Sequence, residues 1–476
     1  MSATPPSPSS EKDLKVSPPS SFSDLIITPE DEKRILRKLD LNVLPILSLL
    51  YLWSFLDRSN IGNAVLGGLK RDLNMSSTQL NIAVSIFYAS YVSWEAFSNI
   101  FLKKLRPSKY IPSLCLAWGL VTTLTCKVES FGGLVATRIF LGLTEAPLFP
   151  SICFIIGMWY PRSTTCFRFA LFFCSASLAG AFGGLLARGL MTIEAPGIEH
   201  WRSIYLVEGL VTMAVAVLAF FLLKDDFEVA GFLSPEDKEK LRLWHLRDRP
   251  DESLAFSWVE VRDALRMPLT WVNGLQAVGV GLPIFSSASF FPSIVAGLGY
   301  SNTQAQLMTV PPYAFSAIAV ILTGYFSDRL GKRAIFLQTT CVAGIVGYAI
   351  QLGTLKAGPR YFGLFLVAYS VYGGNSITSQ WYGNNLVGHS RRATAQGFSV
   401  AFGNLAAIAG SYIYPANQAP GYKMGHAIAM GCLCLAFTTA TFQWWWFSRK
   451  NQELDRAAEA AKARGEAVPR TFRYMV

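Results

Sequence analysis

The chain has 476 residues, of which 51% are hydrophobic and only 15% charged, and its mean hydropathy is +0.33. Soluble domains carry about 25% charged residues, so a soluble multidomain protein, a collagen, a mostly disordered chain and a small disulfide scaffold are excluded. The net charge of +11 does not mark a nucleic-acid groove, because the basic residues gather in loops and tails on one side of apolar segments, the positive-inside pattern of a membrane protein.

Met1 to Thr28 is rich in Ser and Pro and has no apolar stretch. It reads as a disordered cytosolic tail rather than a signal peptide. A membrane helix needs about 20 mostly apolar residues, and twelve segments qualify. The first six are Asn42–Val65, Leu80–Phe101, Tyr110–Cys126, Phe131–Met158, Phe169–Leu186 and Ile204–Leu223. A hydrophilic stretch, Lys224 to Met267, follows, with Ser234-Pro235-Glu236-Asp237 as a helix start. The second six are Leu269–Val295, Ala305–Phe326, Ala334–Leu355, Phe362–Leu386, Ala393–Tyr414 and Ala427–Phe447. A charged tail closes the chain, and Asn451 to Glu466 reads as a short exposed helix. Trp444-Trp445-Trp446 beside Arg449 and Lys450 reads as an interfacial anchor.

The expected fold is all-α: a polytopic membrane protein with twelve transmembrane helices in two pseudo-symmetric six-helix bundles. The expected units are a cytosolic tail 1–41, an N-terminal bundle 42–223, a cytosolic linker 224–267, a C-terminal bundle 268–447 and a cytosolic tail 448–476. Two similar halves joined by a hydrophilic linker are the plan of many secondary transporters. Basic residues follow spans 2, 8 and 10, whereas Val295 to Ala305 carries no charge, so both termini should be cytosolic. The eight cysteines lie in or beside apolar runs, and the Cys432/Cys434 pair has no ligand cluster near it. Core packing explains them better than a metal site.

The spans of the second half contain no Asp, Glu, Lys or Arg, while those of the first half contain Asp57, Arg58, Glu95, Arg138, Glu145 and Glu208. An ionised group at the bilayer centre costs about 2.5–3.5 kcal/mol, so these groups need partners or water. Arg58 and Arg138 each lie seven residues from the outer end of a span, or about 10 Å deep at about 1.5 Å per residue. Arg138, Gly142 and Glu145 share one helix face, and Pro147 and Pro150 mark a bend just below. A guanidinium suits a carboxylate because it stays charged and donates in a fixed fork, so Arg58 and Arg138 are candidate anion binders. Asp57 and Glu145 are candidate proton carriers, with static ion pairs as the alternative. Glu95 reads as a gate or a structural salt bridge, and Glu208 as structural. Neutral polar residues of the second half, among them Gln380 and Trp381 on span 10 and Asn404 on span 11, are candidates for the uncharged body of a substrate, as is Tyr88 on span 2. Asn273, Gln276 and Asn375 offer further amides.

Gly324-Tyr-Phe-Ser-Asp328-Arg329-Leu-Gly331-Lys332-Arg333 resembles the loop motif of major facilitator transporters. That resemblance implies close helix approach at the Gly and a cytosolic gate lock built from Asp328, Arg329 and Arg333. The first-half loop departs from the motif and lacks the Asp-Arg pair. Leu56-Asp57-Arg58-Ser59-Asn60, Arg138-Ile-Phe-Leu-Gly142-Leu-Thr-Glu145, Val310-Pro311-Pro312-Tyr313, Asn384-Asn385 and Gly403-Asn404 resemble the anion:cation symporters, and among them the fungal allantoate permease-like group. The resemblance implies uptake of a small organic anion coupled to protons, with the Asp-Arg and Arg-Glu motifs serving coupling and anion binding and Asn404 touching substrate. No cofactor is expected beyond the proton as coupling ion. The expected partners are the substrate anion and the lipid bilayer, with no nucleic acid, and the expected state is a monomer in the plasma membrane. A proton-driven exporter and a non-transporting nutrient sensor are the alternatives. The four histidines form no catalytic or metal constellation, so an enzyme is not expected.

Overall fold

The computed structural model describes residues 27–191, 200–248, 257–464 and 473–476, and the Ser- and Pro-rich tail lies outside them. Among the described residues there are seventeen α-helices and no strand. The first half holds α1 (Pro29–Asn42), α2 (Leu44–Leu66), the short α3 (Leu69–Asp72), α4 (Ser77–Lys104), α5 (Pro107–Thr125), α6 (Phe131–Glu145), α7 (Leu148–Trp159), α8 (Thr165–Met191) and α9 (His200–Leu222). Two linker helices follow, α10 (Pro235–Asp248) and α11 (Trp258–Arg266). The second half holds α12 (Pro268–Ala296), α13 (Asn302–Leu330), α14 (Arg333–Gly353), α15 (Ala357–Asn384), α16 (His389–Gly410) and α17 (Lys423–Ala463).

Each expected span falls on one helix or on a broken pair. Among the described residues, seven helical runs are long and apolar enough by themselves to cross a membrane, and His200–Leu222 is the most apolar, with a mean hydropathy of 2.2. An eighth, α12, is bent by 60° between Ala288 and Phe290. Pro292 lacks the N–H that would bond the Ala288 carbonyl, which is where a proline kink forms. The fourth span breaks at Ala146-Pro147, so that α6 ends at Glu145 and α7 restarts at Leu148. The helix of the last span continues past Phe447 and runs unbroken to Ala463, because the stretch after Phe447 has neither Gly nor Pro and is rich in helix formers. Lys450 pairs with Glu453 at 2.7 Å on its exposed face.

Within the first half, α2 packs on α8 and α9, α4 on α6, and α5 on α9. Within the second, α12 packs on α16 and α17, and α14 on α15 and α17. The halves meet where α13 and α15 lie on α8 and where α16 lies on α4. Gly142 permits one of the closest approaches inside the first half: a Cβ there would meet the Phe87 carbonyl at 2.6 Å. This contact presses the Arg138/Glu145 face of α6 against α4.

An ion-pair lattice outside the membrane ties α1 to the linker. Arg34 and Lys38 pair with Asp237 at 2.8 and 2.7 Å, and Lys240 pairs with Asp31 at 2.9 Å. Partial burial raises the Asp237 carboxyl, but hydrogen bonds from Lys38, Arg34 and Ser234 outweigh it and hold it at about 2. A depressed carboxylate stabilises the fold above its unfolded value of about 4 and loses that contribution as pH falls through its folded value. Hydrogen-exchange protection of Pro235–Asp248 should therefore decline between about pH 4 and about pH 2. Asp237→Asn should reproduce the loss at neutral pH; unchanged protection in that variant would show that α10 is held elsewhere.

Candidate functional site

Two cavities lie between the halves. The larger, of about 280 Å³, is walled by the ends of α2, α4, α8, α12 and α13 that lie away from α1, α10 and α11. The smaller lies deeper, among α2, α4, α12, α15 and α16. Phe55, Arg58 and Phe285 line both and form the waist between them.

Arg58 pairs with Glu145 at 2.6 Å, with side chains 11% and 1% exposed. The hydroxyl of Ser54, one turn earlier on α2, donates to the same Glu145 oxygen, while Oε2 of Glu145 has no hydrogen-bond partner among the described residues. The rings of Phe55, Phe87 and Tyr91 surround the guanidinium at 5.1, 5.3 and 5.2 Å, an arrangement that attracts a desolvated cation. Arg138 faces the larger cavity and is 3% exposed. It donates to the Tyr205 hydroxyl at 2.9 Å and has no carboxylate within ion-pair distance among the described residues. Tyr88 stands in the same wall, with Tyr313 and Tyr372 opposite. Asn404 lines the smaller cavity and donates to Glu95 across the bundle interface at 3.0 Å. Asn375 and Ser379 on α15 complete the polar part of that wall.

The shared face of Arg138 and Glu145 does not make them partners, since Glu145 meets Arg58 from α2 instead. Asp57 takes a different place from its neighbour Arg58. Consecutive helix residues point about 100° apart, and with Arg58 at the waist Asp57 turns into the first bundle. There it is fully buried and accepts from Trp118 at 3.1 Å and Thr212 at 2.9 Å. It lines neither cavity. Gln380 and Trp381 also fall outside both walls, because Asn375, Thr378 and Ser379 occupy the cavity face of α15. The Trp381 indole donates to the Met475 carbonyl at 2.9 Å and packs on Phe447, so it anchors the end of the chain. Gln276 belongs to a buried amide chain from Gln443 to Thr378. Glu208 accepts from Asn60 at 2.6 Å in the interior of the first bundle.

The lock residues lie at the basic face. Asp328 pairs with Arg333 at 2.5 Å and accepts from the backbone N–H of Phe167, in the first turn of α8, at 2.7 Å. It thus joins α13 to the opposite half through an orphan helix N–H. Arg329 is exposed and makes no ion pair among the described residues. Asn384 adds a second cross-bundle bond to Thr165, and Arg168 grips Asp40 through two bonds. Gly324 makes the approach possible, since a Cβ there would lie 2.5 Å from the Ala170 Cβ. Gly324→Leu should lower the transport rate about tenfold, because overpacking of this kind costs about 1–3 kcal/mol. Initial-rate uptake at matched expression is the measurement. A rate equal to wild type would mean that the two helices need not close here.

Sequence reasoning missed Ser54, Tyr205 and the aromatic box. The signal available was spacing: Tyr51, Phe55 and Arg58 fall at i, i+4 and i+7, one helix face. Among the described residues no group of three His, Cys, Asp or Glu side chains is placed to hold a metal, and all eight cysteines are free.

Residues 47–411 match the family described as Major Facilitator Superfamily. An uncharacterized transporter of Schizosaccharomyces pombe is 36% identical over 435 residues, 91% of this chain and 90% of the relative. A high-affinity nicotinic acid transporter of Saccharomyces cerevisiae is 32% identical over 443 residues, 92% of this chain and 82% of the relative. Among solved structures, a bacterial homolog of the human lysosomal transporter Spinster, inward-facing and occupied, superposes with a TM-score of 0.58 at 16% identity, over 85% of this chain and 96% of that one.

Proposed function

The chain belongs to the Major Facilitator Superfamily, and we propose that, within it, this transporter is an anion:cation symporter that takes up a small organic anion together with protons. It is a multi-pass membrane transporter and not an enzyme. The observation that carries the reading is Arg138, a buried guanidinium in the wall of a cavity with no carboxylate beside it among the described residues. A carboxylate entering the cavity supplies the missing partner. The aromatic wall of Tyr88, Tyr313 and Tyr372 suits a flat, uncharged body, and one relative is named for nicotinic acid.

Glu145 is the coupling group of this proposal. Protonation removes its hold on Arg58, which can then turn to the substrate carboxylate. One anion and one added proton leave the charge of the buried site unchanged, which lowers the penalty of moving it through the membrane. Arg58 touches both cavities, so the exchange of partners occurs where the two chambers meet. The Glu95–Asn404 bond spans the halves and must break as they rock. The Asp328–Phe167 contact joins the halves on the same side and must open in the same movement.

Arg168, Arg329, Lys332, Arg333 and Arg391 gather on one face, which supports cytosolic termini, and the plasma membrane is the proposed location. A monomer is the proposed state. The test is uptake of labelled nicotinate, allantoate, pantothenate and benzoate by a permease-deficient host at about pH 5 and about pH 7.5. One anion should accumulate, faster at the acidic pH, and a proton ionophore should abolish accumulation. Accumulation indifferent to pH and ionophore would remove proton coupling from the proposal.

A further inference from the structure

The linker helix α11 carries a surface that transport does not use. Its exposed residues are Trp258, Val259, Arg262, Leu265 and Arg266, with Trp258 72% and Val259 58% exposed. They recur at helical spacing, so one face alternates apolar bulk with two arginines. The opposite face is fixed to the second bundle. Glu260 accepts the backbone N–H groups of Ser390 and Arg391 at 2.9 and 3.1 Å, which caps the start of α16. Asp263 pairs with Arg391 at 3.4 Å, and Ala264 is fully buried. Both acids of α11 are therefore engaged on the inner side, and Arg262 and Arg266 make no ion pair among the described residues. The membrane-spanning α12 begins at Pro268, directly after α11. The Trp271 indole donates back to the Leu265 carbonyl at 2.9 Å, which places the helix at the level where the span leaves the bilayer.

We propose that α11 lies in the headgroup layer and binds anionic phospholipid, with Arg262 and Arg266 on the phosphates and Trp258, Val259 and Leu265 among the upper acyl carbons. Tryptophan and arginine flanking a short apolar face suit that depth. Assigning the cytosolic leaflet rests on the orientation proposed above; the lipid contact does not depend on transport. Because Glu260 holds α16, and α16 carries Asn404, the bound lipid steadies the helix that reaches across to Glu95. The occupant is anionic lipid rather than a protein because the face is continuous with the membrane-facing start of α12.

The test uses full-length protein in nanodiscs of phosphatidylcholine to which phosphatidylserine is added. Each arginine near an anionic surface contributes about fivefold in affinity, so Arg262→Gln/Arg266→Gln should weaken phosphatidylserine retention in native mass spectrometry well beyond that factor. Arg456→Gln on the exposed end of α17 serves as the control and should change nothing. Bromolipid quenching attributable to Trp258, taken as the difference between wild type and Trp258→Phe, should report a shallow membrane position. Equal retention in the double variant, or no quenching difference, overturns the proposal. A change in oligomeric size in the double variant, with lipid retention intact, would assign the face to a second copy instead. None of these readouts requires uptake, so failure of the symporter reading would be seen separately.

Discussion

Uptake of the transported anion falls by at least about thirtyfold in Arg138→Ala, since truncating one partner of a buried charged pair costs about 2–5 kcal/mol. The loss appears first as apparent affinity, because in the proposed site the guanidinium meets the substrate carboxylate on binding. Arg138→Lys recovers part of it: the charge stays, but the planar fork that engages both carboxylate oxygens does not. Tyr205→Phe is milder, a few-fold, because it removes one acceptor that orients Arg138 and leaves the charge in place. Concentration-dependent initial rates in whole cells, with surface expression measured, give all three values. Wild-type affinity in Arg138→Ala would remove this residue from the anion site.

Stability should respond to Arg58 and Glu145 in a way that separates folding from coupling. Arg58→Ala leaves the carboxylate of Glu145 buried with only Ser54 to bond it, and breaking a buried pair from one side costs about 3–5 kcal/mol. Removing both charges, in Arg58→Met/Glu145→Gln, should return most of that stability, because neither buried charge is then left alone. Glu145→Gln alone should be less damaging than Arg58→Ala, since the guanidinium keeps its three aromatic faces. None of these variants should accumulate substrate against a gradient. Thermal unfolding in detergent paired with proteoliposome uptake measures both properties. A double variant that is stable and still accumulates substrate would show that Glu145 is not the coupling group.

The helices were legible because hydropathy over some twenty residues is a strong local signal, and the break before α7 was legible because Pro147 has a fixed local chemistry. Partnerships were not. Arg138 and Glu145 lie on one face of α6, yet the carboxylate is taken by Arg58 from a helix far away in sequence. The adjacent Asp57 and Arg58 could not both face the cavity, and sequence alone does not say which one turns inward. Gln380 and Trp381 fall outside both cavity walls for the same reason, as the rotation of α15 about its axis is set by packing against α8 and α14. That the last span and the tail helix join into the single α17 was not legible, because a change from apolar to charged composition marks the edge of the membrane, not the end of a helix. The lattice joining α1 to α10 depends on residues about two hundred positions apart, a separation at which charge pattern carries no pairing information.

The charged side chains that line the two cavities, Arg58 and Arg138, come from the first half, while the walls supplied by the second half are neutral. The consequence is a division of evolutionary labour. Under the proposed reading, selection for a new substrate reworks Asn375, Ser379, Tyr313 or Tyr372 and leaves Arg58 and Arg138 in place. Such a molecule would change its cargo by rewriting one half and leaving the other alone.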